Sequence, residues 1–218
     1  MSSRRTLNKS EGSSNPATLF LEWKSNDKCF SYYDKEAKEK VNIELPLKIQ
    51  FLEHFHTVKG WHDASQSGIY SNEVKFISKE PLEVKSFKGG PVANGFYKDI
   101  KGVVNGSGGK YHRSIYALYN GEIINIAIKG AAVSAYSDFM ATNEGKTEGA
   151  FMEVKEALDQ KKGSIKYSTP VFTIGKSFTK PEMELANDKY SEIVDYFDTY
   201  TKKEAVEPEE ITEDDLEF

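Results

Sequence analysis

The amino-acid sequence predicts a mainly β protein with helical insertions, of the α+β class. Three observations carry that expectation. Apolar and polar residues alternate with period two in several separate runs. An Asn120-Gly121 pair sits between two β-rich segments, the strongest short signal for a hairpin. One long apolar stripe of helical spacing appears near the C-terminal side.

Taken in order, Leu19, Leu21 and Trp23 alternate with Phe20, Glu22 and Lys24. A polar Ser25-Asn26-Asp27 turn leads to Phe30, Tyr32 and Tyr33, which predicts a hairpin. Residues 47–58 form the clearest strand, with Leu47, Ile49, Phe51 and Phe55 on one parity and Lys48, Gln50, His54 and His56 on the other. Further strands are predicted around Leu82–Phe87, over 111–119 and 122–129, and over 164–174; residues 150–159 read as strand, with helix as the alternative. Val92, Phe96, Ile100 and Val103 have helical spacing, as do Val133, Tyr136 and Met140. The last helix carries Met183, Ala186, Tyr190, Ile193, Phe197 and Tyr200, with Thr179 and Glu182 as a capping box at its start. This order and length fit an OB-type five-stranded antiparallel barrel with a C-terminal helix and a disordered acidic tail; a β-sandwich fits nearly as well.

Charge divides the chain. Residues 204–218 hold eight acids and no Lys or Arg, within a net charge of −5. Setting those eight aside leaves 26 of the 34 acids against 29 Lys and Arg, so the body is slightly basic. Three zones follow: a flexible arm at 1–16, a folded body at 17–203, and an acidic tail at 204–218 whose self-repulsion predicts disorder. The tail closes on Glu213, Asp214, Asp215, Leu216, Glu217 and Phe218. Apolar side chains behind a block of acids suit a docking peptide, with Phe218 filling a partner's pocket.

Several function classes find little support. The lone Cys29 excludes an internal disulfide and a Cys-based zinc site. No run has the length of a membrane span and no apolar stretch follows the Ser-rich start, so a cytosolic protein without membrane contact is expected. Gly145-Lys146-Thr147 lacks the upstream glycine of a phosphate-binding loop, because Met140 stands there. Gly106-Ser107-Gly108-Gly109-Lys110 precedes a strand and reads as a turn, or as a loop meeting a phosphate. His54 and His56 share a strand face but have no third ligand at a recognisable spacing. No catalytic residue, metal or cofactor is expected.

The stronger pattern places rings beside cations. It comprises Trp23 with Lys24; Lys28, Phe30 and Tyr32; Lys59, Trp61 and His62; Lys85, Phe87 and Lys88; Lys110, Tyr111, Arg113 and Tyr116; and Lys166 with Tyr167. A single strand of nucleic acid exposes flat bases and charged phosphates, and a protein that holds it needs both kinds of side chain. Aromatics also favour strand cores, so many of these rings have burial as their other reading. The Lys59–Trp61 and Tyr111–Arg113 sites lie beside glycine at strand ends, where loops rim a binding face.

The layout resembles phage-encoded single-stranded DNA-binding proteins, which join an OB-type body to an acidic tail with a C-terminal aromatic. The stretch from Val58-Lys59-Gly60-Trp61 through Gly68-Ile69-Tyr70-Ser71-Asn72-Glu73-Val74 is similar to proteins of Bacteroides-infecting, crAss-like phages. So are Gly109-Lys110-Tyr111-His112 and Pro170-Val171-Phe172. The resemblance implies coating of single strands in DNA replication and recombination, in the cytoplasm of a bacterial host. It further implies recruitment of polymerase or helicase-primase by the tail, and self-association. Two other readings stay open: a protein-interaction or virion-associated module that ignores DNA, and a metal-dependent nucleic-acid enzyme.

Overall fold

A computed structural model describes residues 15–204, and the side chains of 15–199. Most of the expected arm and tail lie outside the described residues, including Glu213, Asp214, Asp215, Leu216, Glu217 and Phe218. The elements are β1 (Leu19–Lys24), β2 (Cys29–Asp34), β3 (Glu39–Ile43), β4 (Leu47–His62), β5 (Ser67–Ser71), β6 (Leu82–Ser86), β7 (Gly90–Gly95), α1 (Tyr97–Gly106), β8 (Gly109–Tyr119), β9 (Glu122–Lys129), α2 (Ala131–Thr142), β10 (Ala150–Lys162), β11 (Ile165–Ser177) and α3 (Lys180–Glu204).

The fold is mainly β with three helices, as the alternation predicts. Its sheet differs from a closed five-stranded barrel. Among the described residues eleven strands form one open sheet: nine follow the order β3-β2-β1-β9-β8-β4-β5-β6-β7, and the β10–β11 hairpin branches from the start of β4. The reason lies in β4. Its 16 residues are long enough to pair with β10, β8 and β5 in succession, so one strand links three parts of the sheet. β1 pairs with β9 in parallel and all other pairs are antiparallel.

Alternation along β8 and β9 sends apolar groups to both faces. Ile115, Ala117, Ile124, Ile126 and Ile128 join Leu21, Phe30 and Met152 beneath Tyr136 and Phe139 of α2. On the opposite face, Tyr116, Leu118 and Ile123 join Leu52 and Phe55 beneath Ala186 and Ile193 of α3. A third cluster sets Val58, Ile69, Leu82 and Val84 against Ile100 and Val104 of α1. At the start of α3, the Glu182 carboxylate accepts the Thr179 backbone N–H at 2.8 Å and its hydroxyl at 2.9 Å, which is half of the expected capping box. Val92 falls in β7 rather than in a helix. Gly95 takes a positive φ of 146° and Phe96 is extended, so α1 starts only at Tyr97.

Candidate nucleic-acid interface

α3 covers only part of its face of the sheet. Beyond it lies a long trough, built of three contiguous depressions of about 780, 250 and 180 Å³. The first and second share Glu22 and Lys24, and the first and third share Phe20. Ser31, Thr57, Asn125 and Ala127 are buried on this face and form its floor. They are small or polar, and buried His112 and Tyr116 lie beside them. Asn125 donates to Ser114 Oγ at 2.6 Å, while its own Oδ1 is buried without a partner. An unpaired buried acceptor costs roughly 1–3 kcal/mol.

The rim carries exposed rings. Register puts Lys59 of β4 opposite Tyr70 of β5, and Tyr70 opposite Lys85 of β6, so the three share this face. Trp61, two residues beyond Lys59, shares it too and is 52% exposed. Phe87 is 74% exposed and lies 4.6 Å from the Tyr70 ring, centroid to centroid. It rests over Gly68, where an added Cβ would come within 3.1 Å of its ring. Phe20 and Tyr33 are exposed along the other wall. Glycine positions the Trp61 end. A Cβ on Gly60 would meet the Gly108 carbonyl at 2.3 Å, so β4 and the α1–β8 turn approach backbone to backbone. The glycine-rich stretch before Lys110 therefore serves close packing against β4.

Cations alternate with the rings. Lys59 faces Lys110 across β4 and β8, and Lys129 stands opposite His112. None of the three forms a salt bridge among the described residues, although the charge of Lys129 helps to lower the pKa of Glu22. His112 is buried below them. Its Nδ1 bonds the Lys110 carbonyl at 2.9 Å, and burial, with Lys59 and Lys129 nearby, lowers its pKa to about 4. Lys24 pairs with Glu22 and Lys85 with Glu83, each at 2.8 Å; Lys88 is exposed beside Phe87.

Of the remaining expected contacts, half-buried Trp23 and Tyr32 and buried Tyr116 also line the depressions, and the others lie elsewhere. Trp23 points to the core, packs edge-on against Phe30 at 5.0 Å, and donates its ring N–H to the Ser168 carbonyl at 3.0 Å. Tyr32 packs against the same core. His62 bonds Ser65 at 2.7 Å. Tyr116 is fully buried and donates to Glu73 at 2.7 Å, and burial with that carboxylate pushes its pKa well up. Tyr111 and Arg113 occupy the opposite face of the sheet. Arg113 donates to His56 Nε2 at 2.6 Å, which leaves the proton on Nδ1 to donate to the Tyr111 hydroxyl at 2.6 Å. His54 bonds Tyr136 at 2.8 Å. Burial first, and Arg113 second, lower the pKa of both imidazoles to about 4. No group of three His, Cys, Asp or Glu placed to hold a metal occurs among the described residues. Lys28 pairs with Asp159 at 2.7 Å, and Lys166 and Tyr167 lie on the β10–β11 hairpin.

Sequence reasoning passed over Phe20, Tyr33, Tyr70, Asn125 and Lys129 as site residues. Tyr70 and Lys129 reach the trough through cross-strand register, which one strand's alternation does not reveal. No helix among the described residues is long and apolar enough to cross a membrane. A scan against protein-family models finds no match, and searches of curated proteins and of solved structures find none either.

Proposed function

We propose that the trough binds single-stranded DNA without sequence preference and without chemistry. The observation that carries this is the part of the sheet face beyond α3 on which Trp61, Tyr70, Phe87, Phe20 and Tyr33 stand exposed among Lys59, Lys110 and Lys129. Rings stack on any base and lysines hold any phosphate, so recognition is tolerant of sequence. The floor is mostly polar, which suits an unpaired strand laid along it. The resemblance to phage single-strand binders adds the setting: replication and recombination in an infected bacterial cell, with residues 213–218 meeting replication proteins. An OB-type origin of the sheet belongs to the same proposal.

Fluorescence titration with oligo-dT of about 16 nucleotides tests it. Trp61→Ala and Phe87→Ala are each expected to weaken binding by about 1–3 kcal/mol. Tyr111→Phe, on the far face, is expected to leave affinity unchanged. Equal affinities for wild type and both ring variants would remove the trough as the site.

A further inference from the structure

The β10–β11 hairpin contains a surface that the trough does not explain. β10 pairs with β4 only through Met152, Glu153 and Val154. Beyond that point its residues pair with β11 alone, down to Lys162 opposite Ile165. The outer half is therefore a two-stranded ribbon that no third strand joins among the described residues. It is fixed to the β1–β2 turn three residues from its tip. Trp23 donates to the Ser168 carbonyl at 3.0 Å, the Ser168 N–H donates to Ser25 Oγ at 2.6 Å, and Lys28 pairs with Asp159 at 2.7 Å. The ribbon thus has a set position relative to the trough.

Its tip is basic. Lys161, Lys162 and Lys166 are exposed, and none has a carboxylate partner among the described residues. Residues 160–167 contain no acid. Ile165 is 68% exposed and Leu158 56%, and both lie on the ribbon face that carries Lys162. A tip needed only for solubility gains nothing from exposed branched aliphatics. A depression of about 500 Å³ between the ribbon and the β1–β2 turn is lined by Lys161, Lys166, Ser25 and Asn26. Ser25 and Asn26 also line the second basin of the trough, so the two surfaces are continuous.

The chemistry of the tip differs from that of the trough. It has cations and aliphatic wedges but no free ring; Tyr167 is half-buried and donates to Gln160 at 3.1 Å. Unpaired bases want a stacking platform. A duplex groove accepts a two-stranded ribbon, its phosphates accept flanking lysines, and aliphatic side chains wedge at base steps. We propose that the ribbon tip grips double-stranded DNA next to the single strand in the trough, so that the favoured ligand is a single-strand–duplex junction. This rests on the reading of the trough as a single-strand site.

The test compares oligo-dT of about 16 nucleotides with the same tract joined to a duplex of about 12 base pairs, at its 5′ or its 3′ end, and with the blunt duplex alone. One junction is expected to bind about tenfold or more tighter than oligo-dT at equal salt. The triple variant Lys161→Gln, Lys162→Gln, Lys166→Gln is expected to lose that excess and keep oligo-dT affinity within about twofold, the sites being separate. Ile165→Ser is expected to lose part of it. Equal affinity for both junctions and oligo-dT would overturn the proposal. So would a triple variant that weakens oligo-dT and junction alike, because the ribbon would then be part of the single-strand path. If oligo-dT does not bind at all, the reading of the trough fails. Blunt-duplex binding abolished by the triple variant would then keep the ribbon as a duplex contact, and its absence would remove that too.

Discussion

Three histidines, His54, His56 and His112, are held neutral by burial, each with a pKa of about 4 against an ordinary 6.5. A base whose folded pKa is depressed binds fewer protons folded than unfolded. Its contribution to stability is fully present above 6.5 and is lost as pH falls towards 4. Each imidazole adds a slope of up to about 1.4 kcal/mol per pH unit inside that window. Urea unfolding between about pH 5 and 6.5 is expected to show stability rising with pH, and His112→Asn, whose amide can replace the bond to the Lys110 carbonyl, is expected to flatten the slope by one proton. A flat profile over that range would show that the imidazoles titrate normally. Single side chains also explain which ring sites were legible. Lys59 and Trp61 share the parity of Phe55, the apolar one, so alternation pointed them inward and only their place beside glycine at the strand end marked them for the rim. Trp23 shares the parity of Leu19 and Leu21, and Tyr111 and Arg113 share that of Ile115 and Ala117. Alternation therefore already pointed those three inward, while adjacency to cations in sequence suggested otherwise.

Among the elements, β4 decides the architecture. Its 16 residues and the glycine contact at its far end hold the trough open at Trp61. Gly60→Ala is expected to cost about 1–3 kcal/mol in urea unfolding, because the new Cβ meets backbone rather than a yielding side chain. Gly102→Ala in α1 has nothing within 4 Å of its Cβ and is expected to stabilise by about 0.5–1 kcal/mol. If both changes destabilise alike, close approach is not the reason for Gly60. The hairpin at Asn120-Gly121, the long strand, α2, α3 and the β11 strand were all legible, because each has strong local periodicity or turn chemistry. β3, β5 and β7 were not. They have five, five and six residues, and their pairing depends on partners elsewhere in the chain. Without those three, eight of the eleven strands among the described residues remain, so strand number alone already exceeds the five of a closed barrel.

Over the whole molecule, charge and shape point the same way. The acids of 204–218 mask a basic surplus in the rest of the chain, and Lys59, Lys110 and Lys129, none of them in a salt bridge among the described residues, gather on the part of the α3 face that the helix leaves open. A trough that neutralises phosphates must release counterions when it binds, and its affinity must fall with salt. The decisive measurement is a salt-dependent titration of oligo-dT against a blunt duplex of the same length. Oligo-dT is expected to bind more tightly at every salt concentration, with a log–log slope near −0.7 per phosphate neutralised, and Lys59→Gln with Lys129→Gln is expected to make that slope shallower by about 1.4. Equal binding of the two ligands, or a slope unmoved by removing both lysines, would mean that the trough is not where a single strand is held.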